Sequence, residues 1–363
     1  MHKKKIAFVI GSLSSGGAER VISNLSNGLI DRFDIVIITF VNSKPFYSLD
    51  DRIKVLSCLK FINQSTSTYQ SIKLNYILTK KIYHIIKAEQ VNIVIGFITS
   101  ANILSTIAAK MYGIPCIISE RNNPIHNDLS SFWVILKNFI YPLADRIVLQ
   151  TQGVKKIFEK KIKADKLIIL PNPISLELTN KRDESTKKEN LIITVGTLNE
   201  NKNQKDIIAA FASIDIENWK LIIIGDGNKK EELNDLIQVA NLKDGVEIIS
   251  KVKDIYKYYN KASIFIFTSK TEGFPNALLE AMHFGLPCIS TDCDFGPSEL
   301  IDDGINGYLV PINNYVILRE KLTQLMKNEV LRGEFSKKAK SSTDNFQSTE
   351  VMAKWEDLIN SLI

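Results

Sequence analysis

Residues 263–291 read SIFIFTSKTEGFPNALLEAMHFGLPCIST. SIFIFTS is a short run of aromatic and β-branched residues that does not alternate with polar ones, the pattern of a strand buried on both faces. Glu272-Gly273-Phe274 makes a turn, and Pro275 suits the first turn of a helix. Leu278 and Met282, four apart, mark that helix's buried side. PCIST then opens a second buried strand. Strand, turn, helix and strand in so short a span make a parallel α/β unit.

The same pattern runs outward in both directions. Earlier buried runs are KIAFVI (5–10), DIVIITF (34–40), NIVIGF (92–97), CIIS (116–119), RIVLQ (146–150) and KLIIL (166–170). LIITVG (191–196) and KLIIIG (220–225) follow. Helical patterns lie between them, such as LNYILTKKIYHIIKAE (74–89) and QKDIIAAFASI (204–214). Alternation of this kind predicts doubly wound parallel sheets, and 363 residues exceed the size at which one core stops growing. The polar stretch KRDESTKKEN (181–190) is the expected linker. The expected organisation is a first domain over 1–180, a second over 191–345, and an amphipathic C-terminal helix over 346–363 that packs back on the first domain.

Composition narrows the class. Hydrophobic residues at 45% and charged residues at 24% fit a globular chain and exclude bulk disorder. Cys58, Cys116, Cys288 and Cys293 show no CxxC spacing, so reduced thiols in a cytosolic protein are expected. The apolar run after MHKKK is too short for a signal peptide. No stretch approaches the roughly 20 apolar residues of a spanning helix. Residues 1–170 carry 23 basic and 11 acidic side chains, a balance of +12, and the remainder carries −6. A basic first half admits an anionic membrane surface or nucleic acid as partner, or solvated helix faces with neither.

Ligands of open α/β sheets sit at the carboxyl ends of the strands, and three loops there carry chemistry. In GSLSSGGAER (11–20), Gly16-Gly17 before a helix lets backbone N–H groups approach an anion; a glycine turn needed only for chain reversal is the alternative. The loop is neither GxGxxG nor GxxxxGK. In VGTLNENKNQKDIIAAF (195–211), Lys202 lies just before a helix N-terminus. A cation is badly placed there unless it offsets phosphate charge or is a solvated loop lysine. In the opening stretch, the amides from about Asn276 to Leu278 would be available to a diphosphate at the start of the expected helix. Glu280, one turn in, can accept two hydroxyl hydrogen bonds as a ribose presents them. Glu272 would then lie near the donor sugar.

EGFPNALLEAMHFGLPCIST resembles the signature of retaining family 4 glycosyltransferases of the GT-B fold. The resemblance extends over nearly the whole chain through GGAER (16–20), SERNNP (119–124), VGTLNENKN (195–203), IIGDG (223–227) and DFGPSELIDDGINGYLVP (294–311). It implies two Rossmann-like domains facing a cleft, the first binding the acceptor and the second the nucleotide-sugar, and transfer of a hexose or N-acetylhexosamine from a nucleotide-diphosphate sugar, UDP-sugars favoured. Glu280 would bind the ribose. Glu272 would lie beside the donor sugar with Phe274, Pro275, Asn276 and Ala277. Lys202, with Gly196 and Thr197, would bind the diphosphate, and Gly16 and Gly17 would complete the pocket. Two departures stand out. Thr197 replaces an arginine that many members carry, and Arg121 stands where many have histidine, as a cation near the reacting centre.

The resemblance implies metal-independent chemistry without a cofactor, although Asp292-Cys293-Asp294 has the shape of a DxD metal motif. His126 and His283 fall outside matched catalytic positions and are expected to be surface or packing residues. Through the GGAER and SERNNP blocks the chain resembles cell-surface polysaccharide enzymes of capsule, O-antigen or lipopolysaccharide synthesis, which implies a glycan or polyprenyl-diphosphate-linked acceptor. A nucleotide-sugar epimerase of similar fold is the nearest alternative, but it would need an acid/base pair that Glu272 alone does not supply. Against nucleic acid, no helix-turn-helix, RNP or basic-aromatic stripe is present. Finally, SFWVILKNFIYPL (131–143) crowds bulky apolar residues. Either it is a core helix, or it exposes an apolar face flanked by Lys137 that holds the enzyme peripherally on the cytoplasmic face of an anionic inner membrane.

Overall fold

The computed structural model describes residues 3–62, 67–125, 130–215, 218–250 and 252–363. The chain forms two compact units, Met1–Pro173 with Ser348–Ile363, and Ile174–Gln347.

In the first unit the strands are β1 (Lys5–Ile10), β2 (Asp34–Val41), β3 (Lys54–Leu59), β4 (Ile93–Phe97), β5 (Cys116–Ser119), β6 (Arg146–Leu149) and β7 (Leu167–Ile169). They form one sheet in the order β3-β2-β1-β4-β5-β6-β7, every pair parallel. Its helices are α1 (Gly17–Leu29), α2 (Thr68–Ala88), α3 (Thr99–Tyr112), α4 (Ser131–Ile140) and α5 (Gln152–Phe158).

The second unit holds β8 (Leu191–Val195), β9 (Lys220–Ile224), β10 (Val246–Ile249), β11 (Ile264–Phe267), β12 (Cys288–Thr291) and β13 (Gly307–Val310), ordered β10-β9-β8-β11-β12-β13 and again parallel. Its helices are α6 (Leu176–Lys181), α7 (Gln204–Ala212), α8 (Lys230–Val239), α9 (Ile255–Lys261), α10 (Asn276–His283), α11 (Pro297–Leu300), α12 (Tyr315–Lys327) and α13 (Glu329–Ser341). The last helix, α14 (Ser348–Asn360), belongs to the first unit.

Every buried run quoted from the sequence forms a strand. The order of strands reverses between β1 and β4 in one sheet and between β8 and β11 in the other. Loops leaving those strands diverge to opposite faces, which opens a crevice at their carboxyl ends. This places the loop after β1 and the loops after β8 and β11 where ligands bind.

The residues expected to link the domains are part of the second unit. Glu189 N donates to Lys261 O at 2.8 Å, and Asp183 N to Asn260 Oδ1 at 3.0 Å, so this charged stretch is pinned through its backbone. Ile174 and Leu178 are buried in the second core, which moves the start of that unit ahead of residue 180. Helix α14 buries Val351, Trp355 and Ile359 in the first core, with the Trp355 ring stacked on Phe97 at 6.3 Å.

Helix α4 has no buried residue, and Ile135 (56%) and Phe139 (73%) are open to solvent. Contrary to the expectation from sequence, Lys137 is not a flanking surface cation. Its side chain is 15% exposed and lies 2.8 Å from the buried Glu120 carboxylate, over the rings of Tyr141 and Phe158. The charge of α4 is satisfied inside the unit, and its exposed positions are Val134, Ile135 and Phe139 together with Ser131 and Asn138.

Candidate active site

Two loops of the second unit are laced together before any ligand is considered. Thr268 Oγ1 donates to Lys202 O at 2.9 Å, Asn201 Nδ2 to Thr271 O at 2.9 Å, and Lys270 N to Asn201 O at 2.8 Å. Lys202 N is held by Asn199 Oδ1 at 3.0 Å. Asn203 turns the chain into α7 from a left-handed conformation, φ +51°, which asparagine tolerates better than most residues. From behind, a Cβ on Gly225 would lie 1.9 Å from Gly196 O, so the IIGDG block presses on this loop as only glycine allows.

The result brings together Lys202 and Glu272, 70 residues apart. Their side chains form an ion pair, Nζ to Oε1, and the ammonium also lies 5.0 Å from the centre of the Phe267 ring. Both groups are mostly shielded, at 22% and 12% side-chain exposure, so the pair is less screened than a surface pair. The side-chain stem of Lys202 runs past Gly196, and Thr197 is exposed beside it.

Helix α10 follows. Pro275 is its N-cap rather than part of its first turn, and no side chain caps the end. Asn276 N bonds to Phe274 O and Leu279 N to Pro275 O, both at 3.1 Å, while the amides of Ala277 and Leu278 take no backbone partner among the described residues. Free amides and the positive end of the helix dipole make a seat for an anion. Gly296, at φ +101°, allows the close packing that fixes this turn, because a Cβ there would lie 2.3 Å from Pro275 Cδ. Glu280 is 6% exposed, and its Oε2 accepts from the buried Tyr259 hydroxyl at 3.2 Å. Sequence reasoning missed Tyr259, which sits on α9 and reads as one more core aromatic.

Gly16, Gly17 and Arg121 belong to the first unit. Gly16 caps α1, and the Glu19 carboxylate folds back to it: a Cβ on Gly16 would meet Glu19 Oε2 at 2.2 Å. Burial raises the Glu19 pKa, opposed by the hydrogen bond to its own amide. Arg121 leaves the end of β5 and hydrogen-bonds Asn172 through Nη1.

The remaining candidates lie apart. Asp292 and Asp294 are exposed on either side of buried Cys293. Among the described residues no group of three His, Cys, Asp or Glu could hold a metal ion. His283 is buried at the end of α10. Arg182 Nη1, which can only donate, faces its Nδ1 at 3.4 Å, so Nε2 carries the proton toward Thr179 Oγ1 at 3.1 Å. His126 lies outside the described residues. The four cysteines are free and buried, and no described helix is long and apolar enough to cross a membrane.

Comparison with known proteins identifies the family and the fold. Residues 15–178 match the family described as Glycosyltransferase Family 4, and residues 177–342 match Glycosyl transferases group 1. Over 98% of both chains, the sequence is 31% identical to the GalNAc-alpha-(1->4)-GalNAc-alpha-(1->3)-diNAcBac-PP-undecaprenol alpha-1,4-N-acetyl-D-galactosaminyltransferase of Campylobacter jejuni. It is 27% identical to the amylovoran biosynthesis glycosyltransferase AmsD of Erwinia amylovora, over 98% of this chain and 99% of that one. Among solved structures, Anabaena Alr3699/HepE in complex with UDP superposes with a TM-score of 0.79 at 18% identity, covering 99% of this chain and 100% of the other. With two parallel-sheet units and sequence matches that run through both of them, the chain belongs to the family 4 glycosyltransferases and is a transferase of the GT-B fold.

Proposed function

We propose that this enzyme transfers a hexose or N-acetylhexosamine from a UDP-sugar, with retention at the anomeric carbon, to a polyprenyl-diphosphate-linked or other glycan acceptor in cell-surface polysaccharide synthesis. Its membership of a transferase family replaces the epimerase and nucleic-acid alternatives. The observation that carries the reading is the constellation of Lys202, Glu272 and Glu280 around the uncapped end of α10 at the strand-order reversal of the second sheet.

In this reading the donor diphosphate lies on the Ala277 and Leu278 amides and Lys202, the ribose on Glu280, and the sugar beside Glu272. The bond from C1 to the phosphate oxygen breaks as the acceptor oxygen attacks from the same face. The acceptor proton passes to the departing phosphate oxygen, so no separate base is needed, and nucleoside diphosphate and glycoside are the products. Lys202 and the helix end stabilise the charge that develops on the leaving group, work a divalent ion could otherwise do. Neither metal nor cofactor is part of this mechanism.

The acceptor class is supported by the Campylobacter relative, named for an undecaprenol-linked substrate. The apolar outer face of α4, with Val134, Ile135 and Phe139 exposed, gives the first unit a surface for peripheral attachment at the cytoplasmic leaflet. The test is a panel of UDP- and GDP-sugars offered with and without membrane extract as acceptor source. Release of UDP that requires extract, with a product of the donor's anomeric configuration, is expected. Turnover of GDP-sugars alone, or an inverted product, would overturn the donor or the stereochemistry.

A further inference from the structure

Arg121 is a cation with part of its guanidinium unpaired. Its Nη1 donates to Asn172, and its guanidinium lies 5.0 Å from the centre of the Phe97 ring. Nε and Nη2 are buried and have no hydrogen-bond partner among the described residues. The neighbouring Glu120 does not supply one. Glu120 Oε2 accepts from Tyr141 Oη at 2.7 Å and Lys137 Nζ at 2.8 Å, with Thr99 Oγ1 at 3.4 Å. Its Oε1 accepts the amides of Arg121 at 3.1 Å and Asn122 at 3.3 Å. The carboxylate is therefore committed to α4 and to the backbone of the turn.

Buried polar groups are normally satisfied, and an uncompensated buried cation is among the most unfavourable arrangements a fold can keep. Burial lowers the Arg121 pKa to about 9 even though Glu120 opposes that shift. The backbone alongside is strained as well: Ile98, at the end of β4, has φ +72°, a conformation that β-branched residues avoid. Strain and unpaired charge at the carboxyl ends of adjacent strands, where α/β sheets bind ligands, mark a site rather than a packing accident. The chemistry of the idle edge is specific. Nε–H and Nη2–H are parallel, and their spacing matches the two oxygens of a carboxylate or phosphate.

We propose that the Nε–Nη2 edge of Arg121 binds, in bidentate fashion, an oxyanion of the acceptor substrate, either a phosphate of a lipid diphosphate or the carboxylate of an acidic sugar. This rests on the reading that the first unit takes the acceptor.

The test is calorimetric titration of the full chain with inorganic pyrophosphate, glucuronate and UDP, in wild type and in Arg121→Gln, Arg121→Lys and Lys202→Ala. At least one of the first two anions should bind the Lys202→Ala protein, because the proposed fork is separate from the donor lysine. Arg121→Gln should weaken that anion at least tenfold. Arg121→Lys, which keeps charge but not the fork, should fall between. UDP affinity should be unchanged in Arg121→Gln, and its melting temperature should rise because an unpaired buried charge is gone. Pyrophosphate binding alone identifies the lipid diphosphate as source, and glucuronate alone the acidic sugar. The proposal is overturned if neither anion binds, if Arg121→Gln leaves binding within twofold, or if it lowers the melting temperature as loss of a structural brace would. Loss of UDP in Arg121→Gln equal to that in Lys202→Ala would overturn it too, by assigning the fork to the donor. Failure of the donor reading shows separately, as UDP binding indifferent to Lys202→Ala and Glu280→Ala.

Discussion

Glu272→Gln should make the enzyme bind nucleoside diphosphate more tightly while slowing transfer. The cation assigned to the diphosphate is paired with Glu272. A diphosphate must take the ammonium from the carboxylate and then tolerate that carboxylate's charge nearby. A hydrogen bond to a charged partner is worth about 1.5–3 kcal/mol net, which corresponds to roughly ten- to hundredfold in affinity. The amide of glutamine still accepts from Lys202, and both partners keep some exposure, so the lower end, about tenfold, is the expectation for UDP. Transfer should fall, because the same carboxylate is placed beside the donor sugar. Isothermal titration with UDP on wild type, Glu272→Gln, Lys202→Ala and the double variant measures this. The gain must vanish when Lys202 is absent, since the two side chains couple. Unchanged or weaker UDP binding in Glu272→Gln, with Lys202 intact, would refute the idea that the pair competes with the donor.

Four further outcomes are expected. Glu280→Ala or Lys202→Ala should lower donor kcat/KM by roughly ten- to hundredfold, with Tyr259→Phe as a milder control that spares the carboxylate; near-normal kinetics in both would remove them from the donor site. Activity should survive EDTA, whereas loss restored by manganese would promote Asp292 and Asp294 to metal ligands. Phe139→Glu and Ile135→Glu should abolish sedimentation with anionic liposomes at low salt while leaving donor hydrolysis intact; vesicle binding equal to wild type would discard α4 as the attachment face. His283, held neutral by burial and by nearby Arg182, has its pKa lowered to about 4. The unfolded chain therefore binds a proton before the native one does, and stability should fall as pH drops from about 6.5 toward 4, by up to about 3 kcal/mol. Chemical denaturation across that range checks it, and the slope should flatten in His283→Gln.

The sheets were legible in the sequence wherever a strand is covered on both faces. KIAFVI and LIITV are unbroken apolar runs because helices pack above and below them. The strands that sequence reading did not find are β3, β10 and β13, and each is an edge strand. KVLSCL carries a lysine and a serine, and VEII a glutamate, because an edge has a partner on one side only and keeps polar side chains toward solvent. The linker misled for the opposite reason. Composition records what side chains prefer, whereas residues 181–190 are fixed by backbone bonds to Asn260 and Lys261 that leave no trace in hydropathy.

The candidate site was legible as a set of residues but not as a state. Glycine, proline and charge at fixed offsets from strand ends point to Lys202, Glu272 and Glu280, because only those offsets put a side chain at a helix N-terminus. Pairing is another matter, since Glu272 and Lys202 are brought together by loops that the sequence separates by 70 residues. The structure shows the protein's own carboxylates at both expected anion positions: Glu272 on the lysine, and Glu19 over the glycine turn of α1. A positive site left empty in water would hold counterions loosely and meet any phosphate. On the proposed reading a donor diphosphate would have to displace Glu272 from Lys202, an exchange that a ligand also held by Glu280 could offset and a bare phosphate could not. Arg121, whose Nε and Nη2 have no hydrogen-bond partner among the described residues, would face no such competition.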